Sequence, residues 1–397
     1  MLLLLATACL LAGCGGGGSD PRTSVAVIGD TPYGTSPTDT AEFLATPAFI
    51  NAINQDADLS LVMHVGDIHS GKEYCTEAYD RAIFGLWKSF RMPMVYTPGD
   101  NEWTDCHKAG EGGGSYSAAT GTVSYVLDAK GVPVDYANGD PAANLQLVRS
   151  IFFAAPGKAG GGGSMDVHSQ ALESDPAFPA DKSFAENVWW EQSGVLFVTL
   201  NMPGGSNNDT DPWYGTPAMS AAQAAEVAGR TDADRRWLDT AFRRAVSSGD
   251  RAVVIQLQAD MWSLDGAAAG HIAQYRQFID AIAANTRAFG KPVLLFNGDS
   301  HIYRSDNPLA TGAQCVLEPS PGAAAVPCTS ATVAASYGNA DPSLNQPGVY
   351  NVANFRRVTV HGSTMPLEWL KLTIDPAADA PNGADAFGPF SWKRIKP

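Results

Sequence analysis

Two spacings of apolar residues run through this chain, and together they predict its fold. The first is the continuous apolar run: SVAVIGD, LSLVMHVGD, MPMVYTPGD and PVLLFNGD each end in Gly-Asp, at Asp30, Asp67, Asp100 and Asp299. VLFVTLN (195–201) and AVVIQLQAD (252–260) end instead in Asn201 and Asp260. Runs apolar at every position, rather than at every second one, predict strands covered on both faces. The second spacing is the helical stripe. Trp237, Leu238, Phe242 and Val246 share one face over 233–247, with Thr231 or Asp232 placed to cap it. Ile272, Tyr275, Phe278, Ile279 and Ile282 do the same over 271–289. Strands alternating with helices predict an α/β domain. At each Gly-Asp the glycine is expected to turn the backbone sharply, so that the aspartate projects into the crevice at the carboxyl end of the sheet.

The domain is expected over residues 23–376. Within it, 109–185 carries AGEGGGSYS, KAGGGGSMD and several prolines, and predicts a loop-rich insertion over the site. FRRVTVHGS and LEWLKLTIDP predict a closing strand pair, and the Ala-, Asp- and Pro-rich stretch 377–397 a loose tail.

With 45% hydrophobic and 17% charged residues over 397 positions, the chain can bury a core and is far from disordered composition. Its formal net charge of −15 leaves no basic stripe for nucleic acid, and suits a site that gathers divalent cations. The start, MLLLLATACLLAGC, resembles a bacterial lipoprotein signal whose last cysteine becomes lipidated. That resemblance implies a signal peptide over 1–13, lipidation at Cys14, a glycine-rich tether over 14–22, and a membrane anchor on the cell envelope, at its periplasmic or cell-surface face. The alternative is an ordinary cleaved signal with a coincidental cysteine. Four cysteines then remain, an even count that reads as two disulfides in an exported chain. Cys75–Cys106 and Cys315–Cys328 are expected, each pair lying in loops that the strand order brings together. A zinc site is the rival, without a CxxC spacing to support it.

Four carboxylates at one sheet edge repel one another unless a cation sits among them. In order along the chain, Gly66-Asp67-Ile68-His69, Gly99-Asp100-Asn101-Glu102 and Gly298-Asp299-Ser300-His301 resemble the motif blocks of the calcineurin-like metallophosphoesterases, which include the purple acid phosphatases. The resemblance covers most of 24–375. It implies a four-layer α/β/β/α sandwich of two mixed β-sheets flanked by helices. It also implies a bridging metal ligand at Asp67, one ion further held by Asp30 and His301, and a second by Asp100 and Asp299. In the family the two cations polarise phosphoryl oxygens and supply hydroxide for in-line attack.

The departures are as informative. Pro32 stands where the family has a histidine ligand, with Tyr33 beside it. Asn101 replaces the histidine that serves the leaving group and has no titratable proton, so Glu102 and His69 become candidates for that role. Gln258 or Asp260 stands near the place of a lone histidine. A mostly oxygen ligand set favours one or two hard ions, Mn, Fe, Mg or Ca, over Zn. Arg304 is placed to reach a phosphate oxygen or to pair with Asp306. Asn201, Asn207 and Asn208 line the cleft or make turns. His69 belongs to the site or the surface. His64 is expected to be a core histidine, and His107, His168, His271 and His361 have surface or packing roles. Trp103 and Trp262 either wall the site or pack.

The function expected is metal-dependent hydrolysis of a small-molecule or envelope phosphoester. The alternative is a catalytically impaired protein of the same fold that binds or scaffolds at the envelope. Oligomeric state is left open.

Overall fold

Parity along the strands decides the layers. On the strand Thr23–Ile28, Val25 and Val27 enter one apolar cluster while Ala26 and Ile28 enter another. On Val293–Asn297, Leu294 and Phe296 join the cluster of Val25, and Val293 and Leu295 enter a third. Two sheets therefore share a central core, and each has a second core on its outer face. The helices Ala41–Asn54 and Glu77–Trp87 supply Phe49, Ile50, Ile53, Ile83 and Trp87 to one outer core. The helices Ala221–Ser248 and Arg276–Phe289 supply Trp237, Leu238, Phe242, Phe278, Ile279 and Ile282 to the other. This is a helix–sheet–sheet–helix arrangement, seen in a computed structural model that describes residues 22–397 except 209–210, 264–268 and 338–345. The leader, Cys14 and the tether lie outside the described residues, apart from Arg22.

Both sheets are mixed. In the seven-stranded one, Thr23–Ile28, Leu59–His64 and Pro93–Tyr96 run parallel, with Trp369–Ile374 antiparallel to the first of them. In the nine-stranded one, Val195–Thr199, Ala252–Gln256, Val293–Asn297 and Phe355–Thr359 form a parallel centre. Parallel neighbours direct their carboxyl ends to one edge, and all four Gly-Asp turns emerge there.

Several expectations need correction. The long helix starts at Ala221, capped by Ser220, whose hydroxyl accepts from Gln223 N at 3.1 Å, rather than at Thr231 or Asp232. Val246 is 61% exposed, and Ala241 and Ala245 complete the buried stripe in its place. FRRVTVHGS and LEWLKLTIDP do not pair with each other: Phe355–Thr359 joins the nine-stranded sheet and Trp369–Ile374 the seven-stranded one. The stretch 377–397 is not a loose tail. Phe390–Ile395 pairs with Trp369–Ile374 over six residues and buries Phe390 and Trp392, because FSWKRI alternates apolar and polar positions. The insertion 109–185 is loop-rich but holds the helix Pro141–Phe152, started by Pro141 and by an Asp140 carboxylate accepting from Ala143 N at 2.8 Å. Both disulfides are present, Cys75–Cys106 and Cys315–Cys328. The first fastens the base of the insertion beside the Asp67 loop.

Candidate metal centre

The four turns are built differently from the expectation that glycine does the bending. Asp30, Asp67 and Asp299 themselves occupy the left-handed region, with φ of 50°, 58° and 74°, as does His301 at 62°. Short polar residues tolerate that region best, and such strain gathers at functional sites. Gly66 also turns at φ 108°, as expected of it, whereas Gly99 and Gly298 are required by close approach. A Cβ on Gly99 would lie 1.8 Å from Asp67 Oδ1, and one on Gly298 would lie 2.3 Å from Asp30 Oδ2. The carboxylates can thus crowd together only because the neighbouring loop lacks a side chain.

The crowding defines a site. One ligand atom each from Asp30, Asp67 and His301 falls within 4.8 Å of the others, with His301 Nε2 3.6 Å from Asp30 Oδ1. Asp30 Oδ1 accepts from Asp299 N at 2.8 Å, while its Oδ2 is buried without a partner. Tyr33, beside Pro32, donates its hydroxyl to Asp67 Oδ2 at 2.6 Å and sets its ring edge-on to His301. Asp100 and Asp299 converge a short distance away, since a Cβ on Gly204 would lie 2.7 Å from an oxygen of each. Between the two halves stands Gln258. Its amide nitrogen donates to Asp67 Oδ2 at 3.1 Å and to Asp100 Oδ1 at 2.9 Å, and its oxygen accepts from Gly204 N, which fixes the amide's orientation. This side chain places donors between the Asp67 and Asp100 carboxylates.

Electrostatics point the same way. Burial, and then repulsion from neighbouring carboxylates, pushes Asp67 and Asp100 well above the usual carboxylate range. Burial pushes Asp30 up to about 8 and Asp299 up to about 7, against the pull of a backbone N–H on each. A divalent cation among these oxygens reverses that logic and lets them ionise. Orphaned Asp30 Oδ2, the Asp67 carboxylate and the His301 imidazole fit such an ion, with Asp100 and Asp299 beside them.

Other nominated residues lie elsewhere or have other work. Both amide protons of Asn101 are engaged, by the Tyr33 hydroxyl at 2.8 Å and the His69 carbonyl at 2.9 Å, so it braces the site and has no proton to offer. Glu102 accepts from Tyr96 Oη and from Gly99 N at 2.7 Å, holding the Asp100 turn from beneath. The His69 ring turns away onto Tyr79, and burial lowers it to about 4. Arg304 is 2% exposed and pairs with Asp306 at 2.5 Å, so it does not line a phosphate cleft. Asn201 is fully buried on Glu186 and Asn187, and the Asn208 side chain holds Trp213 and Glu226. Neither lines the cleft. Asn207 is likewise held inside, by Arg230 and Thr231. His64 is a core histidine: Nε2 donates to Thr31 O at 3.2 Å and Nδ1 accepts from Gly66 N at 3.2 Å, tying the first two loops together.

A second acidic group, Asp105, His107 and Asp211, also has ligand atoms within 4.8 Å of one another. Lys108 already bridges its carboxylates at 2.6 and 3.2 Å, and His107 Nδ1 accepts from Tyr214 N at 3.0 Å. That bond leaves the proton on Nε2, where a metal would need the lone pair. It is an ion-pair network.

The sequence offered turn chemistry for Asn207 and Asn208, which the structure bears out, but did not assign Ser206 or His271 to that turn. The signals were the paired glycines after VLFVTLN and the four-residue spacing of His271 and Tyr275, which lie in a short helix and in the turn that closes it.

No protein-family model matches the chain, and no curated protein matches its sequence. Among solved structures, a purple acid phosphatase isolated from yellow lupin (Lupinus luteus) seeds aligns over 94% of this chain and 51% of its own, with 12% identity and a TM-score of 0.39. The chain thus spans about half the length of that phosphatase.

Proposed function

We propose that this chain is a phosphoester hydrolase dependent on one hard divalent cation, working outside the cytoplasm on a lipid tether at Cys14. The observation that carries the proposal is the convergence of Asp30, Asp67 and His301 at metal-ligand distances, with Asp100 and Asp299 beside them. Asp30, Asp67 and His301 would hold the ion, and an oxygen-rich set with a single imidazole favours Mn, Fe, Mg or Ca over Zn. When bound, the cation supplies charge to polarise a phosphoryl oxygen and to acidify a water. Tyr33 and Asn101 act on Asp67: the phenol, kept protonated by burial and by the carboxylates around it, donates to Asp67 and receives from Asn101. Gln258 neutralises the Asp67–Asp100 contact by hydrogen bonding, so a second ion is not required there. Two disulfides support an exported protein.

Gln258 also favours a second reading, in which the chain binds or scaffolds at the envelope without turnover. The two separate in an assay of an aryl phosphate and an aryl phosphodiester, using protein stripped of metal and then given Mn²⁺, Mg²⁺, Ca²⁺, Fe²⁺ or Zn²⁺. Turnover is expected to return with a hard ion and to fall by about 10³-fold or more in Asp67→Asn. Folded protein that stays silent with every ion would replace hydrolysis with the binding role.

A further inference from the structure

Hydrolysis of an unactivated phosphoester needs a proton for the departing alkoxide, and Asn101 has none to give. We propose that Ser206 and His271 deliver it, an inference that rests on the phosphoester reading above.

Ser206 Oγ lies 3.2 Å from His271 Nδ1, and His271 Nε2 lies 3.0 Å from the Asp260 carbonyl oxygen. A carbonyl only accepts, so Nε2 keeps its proton in both charge states. The hydroxyl opposite Nδ1 can accept or donate, so imidazolium and imidazole are both hydrogen-bonded without rearrangement. This is the geometry of a proton carrier.

Its placement follows from the turn. Gly205, Ser206, Asn207 and Asn208 form a run of left-handed residues, with φ of 55°, 57°, 62° and 60°. Residues with side chains avoid such runs, and this one is held from several sides. Gln258 accepts from Gly204 N, Arg230 binds the Asn207 carboxamide at 2.6 Å, and the Tyr275 hydroxyl donates to Pro203 O and accepts from Asn207 N, both at 2.9 Å. His271 and Tyr275, four residues apart, clamp the turn from one side. The turn's other side meets the acidic centre: the Cβ position of Gly204 is 2.7 Å from Asp100 Oδ2 and Asp299 Oδ1, and that of Gly205 is 3.5 Å from Asp100 Oδ2. Gly205 is exposed and Ser206 and His271 are half-buried, so the pair is reachable from solvent beside the acidic centre. The ionisable side chains packed against the turn are Tyr275, Asp100, Asp105 and Asp299, with Arg230 on Asn207 and Glu226 on Asn208, while the Asp260 carboxylate is engaged by Arg357.

In the step proposed, water attacks phosphorus and the bond from phosphorus to the ester oxygen breaks, its electron pair passing to that oxygen. The oxygen takes the Ser206 hydroxyl proton as Ser206 Oγ takes the proton on His271 Nδ1. Neutral His271 is reprotonated from solvent, and the attacking water loses its proton to solvent.

The test compares an alkyl phosphate, whose alkoxide must be protonated, with a nitrophenyl phosphate, whose phenolate leaves unaided. The expected result is that His271→Gln and Ser206→Gly each lower kcat/KM for the alkyl ester about 100-fold, at least about 30-fold more than for the nitrophenyl ester. Ser206→Gly fits the left-handed backbone, so misfolding does not confuse the comparison. Equal losses on both substrates, or no loss on either, with wild-type turnover intact would overturn the proton-carrier role alone. A wild-type protein inactive on both esters would instead overturn the phosphoester reading, and this inference with it.

Discussion

At the scale of single residues, the centre is a compromise between crowding and neutrality. Asp30, Asp67 and Asp299 carry left-handed strain, and Gly99 and Gly298 are present because a Cβ there would collide with the Asp67 and Asp30 carboxylates. Aspartate positions were legible in the sequence because each closes an apolar run. Gln258 and Tyr33 were visible only as departures near the site, since nothing in QLQAD says that its amide will span Asp67 and Asp100. Gln258→Glu should replace two donors with a fifth carboxyl. Without metal it is expected to melt lower, by roughly 1–3 kcal/mol, and with excess Mn²⁺ to bind a second ion per chain. Elemental analysis after gel filtration reads the stoichiometry, and an unchanged count would show that the amide is not what excludes the second ion. Ser206→Gly should raise stability by about 1 kcal/mol, because glycine adopts φ near 57° without the penalty a Cβ brings. A lower unfolding midpoint would mean that the Ser206–His271 contact outweighs the backbone strain.

At the scale of elements, apolar runs located the principal strands, and helical stripes located the two long helices. What was hidden was pairing. Phe355–Thr359 and Trp369–Ile374 are neighbours in sequence but belong to different sheets, because each run's apolar positions suit a different open edge. The last strand was hidden by the Ala- and Pro-rich segment before it, though Phe390 and Trp392 alternate with polar residues. Removing everything after residue 376 should expose Leu372 and Trp369 along an unpaired edge and remove three buried aromatics, Phe387, Phe390 and Trp392. Each aromatic contributes about 3–5 kcal/mol, so the truncated chain is expected to be insoluble or unfolded. Recovery of a cooperatively folded, soluble fragment would refute the role given to this strand. The Cys75–Cys106 bridge, with a sequence separation of 31, should contribute about 3–4 kcal/mol by restricting the unfolded chain. Denaturant titration of the double alanine variant measures this directly.

At the scale of the whole molecule, an acidic chain with buried carboxylates should lose stability with rising pH when metal-free and be spared that loss when metal is bound. Asp30 and Asp299 are raised to about 8 and about 7, above their unfolded values. Their contribution to stability is therefore present at low pH and is lost as pH rises through those values, when the folded state must ionise crowded groups. Buried His64 and His69 are lowered to about 4, so they act below pH 6.5, where folding loses stability as pH falls. Between about pH 6.5 and 8 the carboxylates dominate, because the unfolded groups are ionised there while the folded ones still hold protons. Metal-free protein should then lose about 1 kcal/mol per pH unit for each proton released on unfolding, and saturating Mn²⁺ should remove the loss. Thermal melts across that range read the sign, and a metal-free protein that gains stability from about pH 6.5 to 8 would contradict it.

The most direct test of a one-ion centre is calorimetric titration of metal-stripped protein with Mn²⁺, in the wild type and in Asp67→Asn, His301→Ala and Asp211→Asn. One equivalent should bind to the wild type and to Asp211→Asn, with binding lost in the other two. Binding that survives Asp67→Asn but disappears in Asp211→Asn would move the ion to the Asp105–His107–Asp211 group and contradict the centre described above.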